Sequence, residues 1–158
     1  MITKEDFKIA LGHWASGVTI ITYKDGNIFS GLTASSFTSV SMDPFLILFC
    51  LNSSSNALEK INSAKSFAVN ILSKEQESLS NSFANPTSDR NSILIENGYT
   101  IKTTGSPLIK NSLVHLDCTL DSIFDGGDHK IITGKVEFAS TDITKNPLLY
   151  FNKKYHSI

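Results

Sequence analysis

The residue pair best suited to chemistry is Asp128-His129, at the end of the glycine-rich loop Asp125-Gly126-Gly127-Asp128. A loop imidazole beside a carboxylate works near neutral pH and can hydrogen-bond a carboxamide or a phosphate. The plainer alternative is an exposed hairpin-turn histidine. A second candidate is the stretch Gly31-Leu32-Thr33-Ala34-Ser35-Ser36-Phe37-Thr38-Ser39-Val40-Ser41-Met42-Asp43-Pro44, rich in hydroxyls and poor in charge. Apolar runs flank it, Val18 to Thr22 before and Phe45 to Leu51 after. Hydroxyls and backbone amides at strand ends can bind a phosphate or a polar heterocycle without a lysine. The same composition also suits a pair of Ser/Thr-rich strands with ordinary turns.

Several other chemistries lack their residues. The histidines, His13, His115, His129 and His156, lie far apart and have no Cys or Glu partner pattern, so no metal site is expected. There is no Gly-x-Ser-x-Gly, Walker loop or Rossmann fingerprint, so any nicotinamide binds outside a Rossmann fold. The 14 basic residues are scattered, with only Lys153-Lys154 adjacent, which gives no electrostatic footprint for nucleic acid. Arg90 is the only guanidinium. Cys50 and Cys118 sit in apolar strand-like runs, where two reduced, buried thiols are expected in preference to a pair.

The elements that must position these residues follow from patterning. A chain of 158 residues, 41% hydrophobic and 18% charged with net charge −1, fits one globular domain spanning 1–158 with a core of its own. The N-terminus shows no secretory h-region and no apolar run reaches membrane-spanning length, so a cytoplasmic location is expected. Thr3 and Asp6 open a short helix in which Phe7, Ala10, Leu11 and Trp14 are expected to be buried. Val18 to Tyr23 and Ile28 to Ser35 form a hairpin across Lys24-Asp25-Gly26-Asn27. Phe45 to Leu51 is apolar at every position, as in a strand enclosed on both faces. Asn52 to Asn56 cap a helix that turns Leu58 and Ile61 inward, and its free amides are a natural anion site. Phe67 to Leu72 is a strand, and Ser73 with Gln76 opens a helix burying Leu79 and Phe83. Ser92 to Glu96 suits a helical turn and Tyr99 to Lys102 a short strand. Leu113 to Phe124 and His129 to Ser140 form a long hairpin, and an aromatic tail from Asn146 to Tyr155 docks on the body. Strands outnumber helices and return through short turns, which predicts a mainly β protein: a closed antiparallel β-barrel with peripheral helices.

Taken in order, several of these segments resemble the flavin reductase-like family with the FMN-binding split barrel, the small reductases that serve two-component monooxygenases. The matching stretches are Ala15-Ser16-Gly17-Val18-Thr19, then Gly31 to Pro44, then Phe67-Ala68-Val69-Asn70-Ile71-Leu72 with Gln76, Leu79, Ser80, Phe83 and Ala84. Further on come Gly127-Asp128-His129, Gly134-Lys135-Val136, and Pro147-Leu148-Leu149-Tyr150 with Tyr155. The resemblance implies an antiparallel Greek-key barrel and an NAD(P)H-dependent reductase that passes a hydride to FMN or FAD and supplies a partner monooxygenase. The rival is a flavin-binding protein of the same fold without NAD(P)H turnover. It implies that Thr33, Ala34, Ser35 and Ser36 line the flavin ring and ribityl chain, and that Cys50, Leu51 and Asn52 face the isoalloxazine. Ser54, Ser55 and Asn56 would take phosphate or ribityl contacts. Phe83, Ala84 and Arg90 match a second phosphate-side segment, and Tyr155 a tail aromatic near the pocket. His129 would orient the nicotinamide of NADH or NADPH. A homodimer is implied as well. The sequence departs from the family pattern at Phe45, where many relatives carry a second proline.

Overall fold

Local signals start the helices. In the computed structural model, which describes residues 1–158, Thr3 caps α1 (Lys4–Gly12) through a reciprocal box. Its hydroxyl accepts from the Asp6 amide at 3.1 Å, and the Asp6 carboxylate accepts from the Thr3 amide at 3.0 Å. A 2.6 Å bond from the Thr3 hydroxyl to the Asp6 carboxylate, and then the bond from the Thr3 amide, hold the Asp6 carboxyl below its ordinary pKa. Ser55 caps α2 (Asn56–Ala64), which ends at Lys65 in the left-handed conformation, φ 55°. The Ser73–Gln76 box opens a short 3-10 turn leading into α3 (Glu77–Ala84), and Asp89 caps α4 (Arg90–Asn97).

The strands are β1 (Ser16–Gly17), β2 (Thr19–Asp25), β3 (Ile28–Ala34), β4 (Thr38–Met42), β5 (Phe45–Asn52), β6 (Ser66–Ile71), β7 (Tyr99–Ile101), β8 (Pro107–Ile109), β9 (Val114–Gly126), β10 (His129–Thr141), β11 (Leu148–Phe151) and β12 (Lys154–Ser157). Seven of them make one antiparallel sheet in the order β3-β2-β6-β9-β10-β5-β4. β1, β11 and β12 form a second, three-stranded sheet, and β7 pairs with β8. The class is mainly β, as the patterning predicts, but the large sheet is not closed into a barrel: no ladder joins β3 to β4. The two edge strands are joined only through the connection Ser35-Ser36-Phe37; α3 and α4 pack near β3, and β4 carries a bulge at Val40.

Apolar side chains fill two adjoining cores. One gathers Ile21, Ile47, Phe49, Ile61, Phe67, Val69 and Ile132 between the sheet and α2. The other gathers Val18, Ile20, Leu72, Leu79, Phe83, Leu94, Ile109 and Leu148 beneath α3 and α4. Leu79 and Phe83 are buried as their spacing predicts, and Ala57 joins Ile61 on the inner face of α2, with Leu58 half-buried. Asn70 ties the layers together. Its amide donates to the Ile20 carbonyl at 3.1 Å and the Thr22 hydroxyl at 3.0 Å, and its carbonyl accepts from the Ile109 amide at 2.8 Å. Buried Asp117 is met by the amide and hydroxyl of Thr104, which pins the loop before β8 to β9.

Three expectations are corrected. α1 forms, yet none of its residues is buried: Phe7 is 54%, Leu11 57% and the following Trp14 76% exposed. Its amphipathic spacing marks a face that needs a cover, and the chain supplies none over that face. β5 alternates instead of being enclosed on both faces. Ile47, Phe49 and Leu51 are buried while Phe45 is exposed, because only one face of this sheet region lies against the core. Both cysteines are free thiols, but only Cys118 is buried; Cys50, on the opposite face of β5 from Phe49, is half-buried. Burial, and then the charges of Asp117 and Glu137, push the Cys118 thiol well above its ordinary pKa, so it remains a neutral core residue.

Candidate functional site

A groove runs over the place where the two edges of the large sheet meet. Its first lobe, a cavity of about 380 Å³, is lined by Leu32 to Ser36 from the end of β3, Cys50 to Asn52 from the end of β5, Ser55 at the start of α2, and His129 at the start of β10. Sheet register brings these segments together, since His129 pairs directly with Asn52 and Leu51 with Lys130. A second lobe of about 190 Å³ is lined by Val18, Thr33, Ser35, Ser80, Ala84, Tyr150 and Tyr155. Thr33 and Ser35 line both lobes, so the two lie side by side along one groove.

Most of the groove's hydroxyls are already engaged. Ser36 Oγ accepts from the Cys50 amide at 2.9 Å and donates to the Cys50 carbonyl at 3.2 Å, clasping the β3–β4 connection onto β5. Thr33 Oγ1 donates to the Ser80 carbonyl at 2.7 Å, fixing β3 against α3. Tyr155 Oη shares a 2.9 Å hydrogen bond with Ser80 Oγ and donates to Asn81 Oδ1 at 3.2 Å, which docks the C-terminal hairpin on α3. Ser35 differs. It is exposed, it makes no side-chain hydrogen bond within the chain, and it lines both lobes. Tyr150, in the second lobe, likewise makes no side-chain hydrogen bond, so the groove presents two free hydroxyls on walls whose Ser36, Thr33, Ser80 and Tyr155 hydroxyls hold its shape.

His129 is held from one side. Its Nδ1 donates to Asp128 Oδ1 at 2.7 Å, and that bond holds the Asp128 carboxyl below its ordinary pKa. An ionised carboxylate only accepts, so the neutral imidazole carries its proton on Nδ1 and leaves Nε2 free as an acceptor. The loop is anchored too, since the Ser53 amide donates to the Asp128 carbonyl at 3.0 Å. The turn thus fixes the imidazole beside Asn52 at the mouth of the first lobe, where it can receive a donor such as a carboxamide.

Of the residues singled out from sequence, Thr33, Ala34, Ser35, Ser36, Cys50, Leu51, Asn52, Ser55 and His129 converge on the first lobe, and Ala84 and Tyr155 on the second. Others stand apart. Ser54 is turned toward Asn52, whose Oδ1 accepts from the Ser54 amide at 2.9 Å and its hydroxyl at 2.6 Å. Asn56 is the first residue of α2 and lines neither lobe. Phe83 is a core residue, packed beneath Gly31 where a Cβ would approach its ring to 2.9 Å. Arg90 opens α4 and donates to the Asn85 carbonyl at 3.3 Å, outside both lobes. Sequence reasoning missed Leu32, Val18, Ser80 and Tyr150 as lining residues. Val18 and Ser80 carry no distinguishing local signal, and Tyr150 reaches the groove only because β11 pairs with β1. No group of His, Cys, Asp and Glu side chains is arranged to hold a metal ion.

The chain is also similar to known proteins over nearly its whole length. Residues 11–158 match the family model described as flavin reductase like domain. Reductase subunit HsaB of the flavin-dependent monooxygenase of Rhodococcus jostii (strain RHA1) is 36% identical over 96% of this chain and 76% of its own. Among solved structures, nitrilotriacetate monooxygenase component B from Mycobacterium thermoresistibile superposes with a TM-score of 0.92 at 34% identity, covering 98% of this chain and 86% of its own. The Streptomyces globisporus NADH:FAD oxidoreductase SgcE6 superposes with a TM-score of 0.90 at 28% identity, covering 100% and 96%.

Proposed function

The chain belongs to the flavin reductase like domain family, and on that premise we propose how its groove carries out the reaction. It is an enzyme, an NAD(P)H-dependent flavin reductase that supplies reduced flavin to a monooxygenase. The observation that carries the site assignment is the convergence of Ser35, the Cys50–Asn52 strand end and His129 on one cavity. We take its flavin to be FMN or FAD and its donor to be NADH, the donor named for the Streptomyces globisporus relative; NADPH is the alternative. When bound, these cofactors supply the hydride and its acceptor.

The chain's part is to bind and to orient. Leu51 and the half-buried Cys50 offer an apolar wall at the end of β5 for a flat ring system. Ser35, with the backbone around it, offers the hydrogen bonds a ribityl chain needs. The second lobe, with the Ser80–Tyr155 pair at its wall, and Ser55 at the start of α2 are two places for a phosphate. No lysine or arginine lines either lobe, which suits a flavin held loosely enough to be released to a partner. His129, locked by Asp128, presents Nε2 to the carboxamide of the nicotinamide and so sets its distance from the flavin. His129 moves no proton in this scheme.

The whole chain acts as one domain in this reading, and we place it in a homodimer. Support comes from the exposed apolar surface formed by Val40 and Met42 on β4, a strand with no neighbour on its outer side, and by Phe45, which pairs with Met42 at the start of β5. No helix is long and apolar enough to cross a membrane.

The test is NADH oxidation followed at 340 nm with and without added FMN or FAD. Oxidation that requires flavin is expected. His129→Ala should raise the KM for NADH about five- to tenfold, the worth of one hydrogen bond. Flavin binding without NADH or NADPH oxidation would instead make the protein a flavin carrier.

A further inference from the structure

Beyond the two lobes described, the groove continues into a third of about 450 Å³ between the end of α1 and the C-terminal hairpin. It shares Ser35 and Ser36 with the first lobe and Ser35 and Tyr150 with the second, so it adjoins both. Its lining has an unusual pairing. Leu11, Trp14 and Tyr150 give it apolar and aromatic surface, and Lys8 and Lys153 give it two cations. No acidic residue lines it, and neither lysine is in an ion pair within the chain. Trp14 is 76% exposed there, an indole left open on the wall of a cleft. The two walls are tied to one another: the Asn152 amide donates to the Gly12 carbonyl at 2.7 Å, and the His13 and Phe151 rings meet edge to face at 5.7 Å. Lys153 itself is held at φ 61° in the tight turn between β11 and β12.

Resting on the flavin reductase reading, we propose that this third lobe binds an adenosine phosphate, the half shared by FAD and NAD(P)H. The purine stacks on Trp14, and Lys8 and Lys153 meet the phosphates. An uncharged aromatic ligand would leave both lysines unused, and a simple anion would leave the indole and Leu11 uncovered. A nucleotide answers both, and adjacency to the first two lobes places its remaining half where the chemistry occurs. Trp14, Lys8 and Lys153 are then the residues that separate dinucleotide ligands from FMN.

Trp14 is the only tryptophan of the chain, so it reports on its own site. The probe is ADP, which does not absorb at the indole emission. Titration of the wild-type protein should quench and saturate the Trp14 emission, and the double variant Lys8→Ala/Lys153→Ala should weaken ADP binding about tenfold. Calorimetry with FAD and FMN, and KM for NADH with FMN as acceptor, then identify the source. A tenfold fall in the FAD-to-FMN affinity ratio of the variant assigns the lobe to the flavin's adenosine. A rise in the KM for NADH with that ratio unchanged assigns it to the nicotinamide dinucleotide. ADP that neither quenches Trp14 nor binds by calorimetry, while FMN binds normally, overturns the proposal and leaves the reductase reading intact. Quenching that the double variant retains in full also overturns it. Failure of wild-type protein to bind either flavin counts against the underlying reading, whatever ADP does.

Discussion

The smallest decisive unit in this molecule is the Asp128–His129 pair. One 2.7 Å hydrogen bond selects the tautomer and aims the free ring nitrogen. The bond holds the Asp128 carboxyl below its ordinary 3.8, so its contribution is present above that value and is lost as pH falls through the lowered folded pKa. Asp128 therefore stays ionised across the working range, and the acid limb of a pH–rate profile between pH 5 and 7 does not report its titration. Asp128→Asn removes the preference for Nδ1–H, and the expected result is a higher KM for NADH with little change in flavin affinity. An equal loss in both would show that Asp128 shapes the groove and not the imidazole. Ser35 is the complementary case. As the free hydroxyl common to the lobes, its replacement in Ser35→Ala should weaken flavin binding about five- to tenfold in a fluorescence titration. At this scale the sequence was informative. The run Thr33 to Ser36 and the pair Asp128-His129 stand out by type, and the run and His129 line the groove. Their division of labour was not legible, because the engagement of Ser36 by Cys50 and of Thr33 by Ser80 depends on strands and helices remote in the chain.

Elements place these residues, and their close packing makes them vulnerable at particular points. Gly134 on β10 lies where an added Cβ would come within 2.3 Å of the Phe67 ring and 3.2 Å of Cys118. Phe67 is fully buried and packs edge to face on Phe49 at 5.0 Å, so it has nowhere to move. Gly134→Ala should lower stability by about 1–3 kcal/mol, read as a shift in the urea midpoint at unchanged slope. An unshifted midpoint would mean that β10 can slide away from β6 and β9. Helix starts were legible from sequence because capping boxes are local: Thr3 with Asp6 and Ser73 with Gln76 both form. Long hairpins were legible for the same reason, from turn residues between alternating runs. The burial of α1 and the enclosure of β5 were misread for one shared reason. An apolar pattern says that a face wants a cover, and only the tertiary arrangement says whether the same chain provides it. The open edge between β3 and β4 was hidden likewise, since sheet closure depends on tilt and stagger that no local pattern encodes.

At the scale of the whole molecule, the sheet arrangement explains why the groove is where it is. The two sheet edges approach each other at Ser35–Phe37 without pairing, the C-terminal hairpin docks beside them through Tyr155 and Ser80, and the β9–β10 turn brings His129 to the rim. The exposed apolar surface of Val40 and Met42 on the edge strand β4, with Phe45 beside them on β5, belongs to this scale as well. If it is the contact between two copies, sedimentation should show a dimer that Phe45→Lys converts to a folded monomer; a wild-type monomer at micromolar concentration would dismiss the contact. The central claim, that the groove brings a reduced nicotinamide onto a flavin, is tested most directly by anaerobic stopped-flow. Protein loaded with FMN, and separately with FAD, is mixed with NADH and then NADPH while the visible flavin band is followed. The structure predicts rapid bleaching in a single turnover, slowed in His129→Ala. Flavin that binds but stays oxidised with either donor would contradict it.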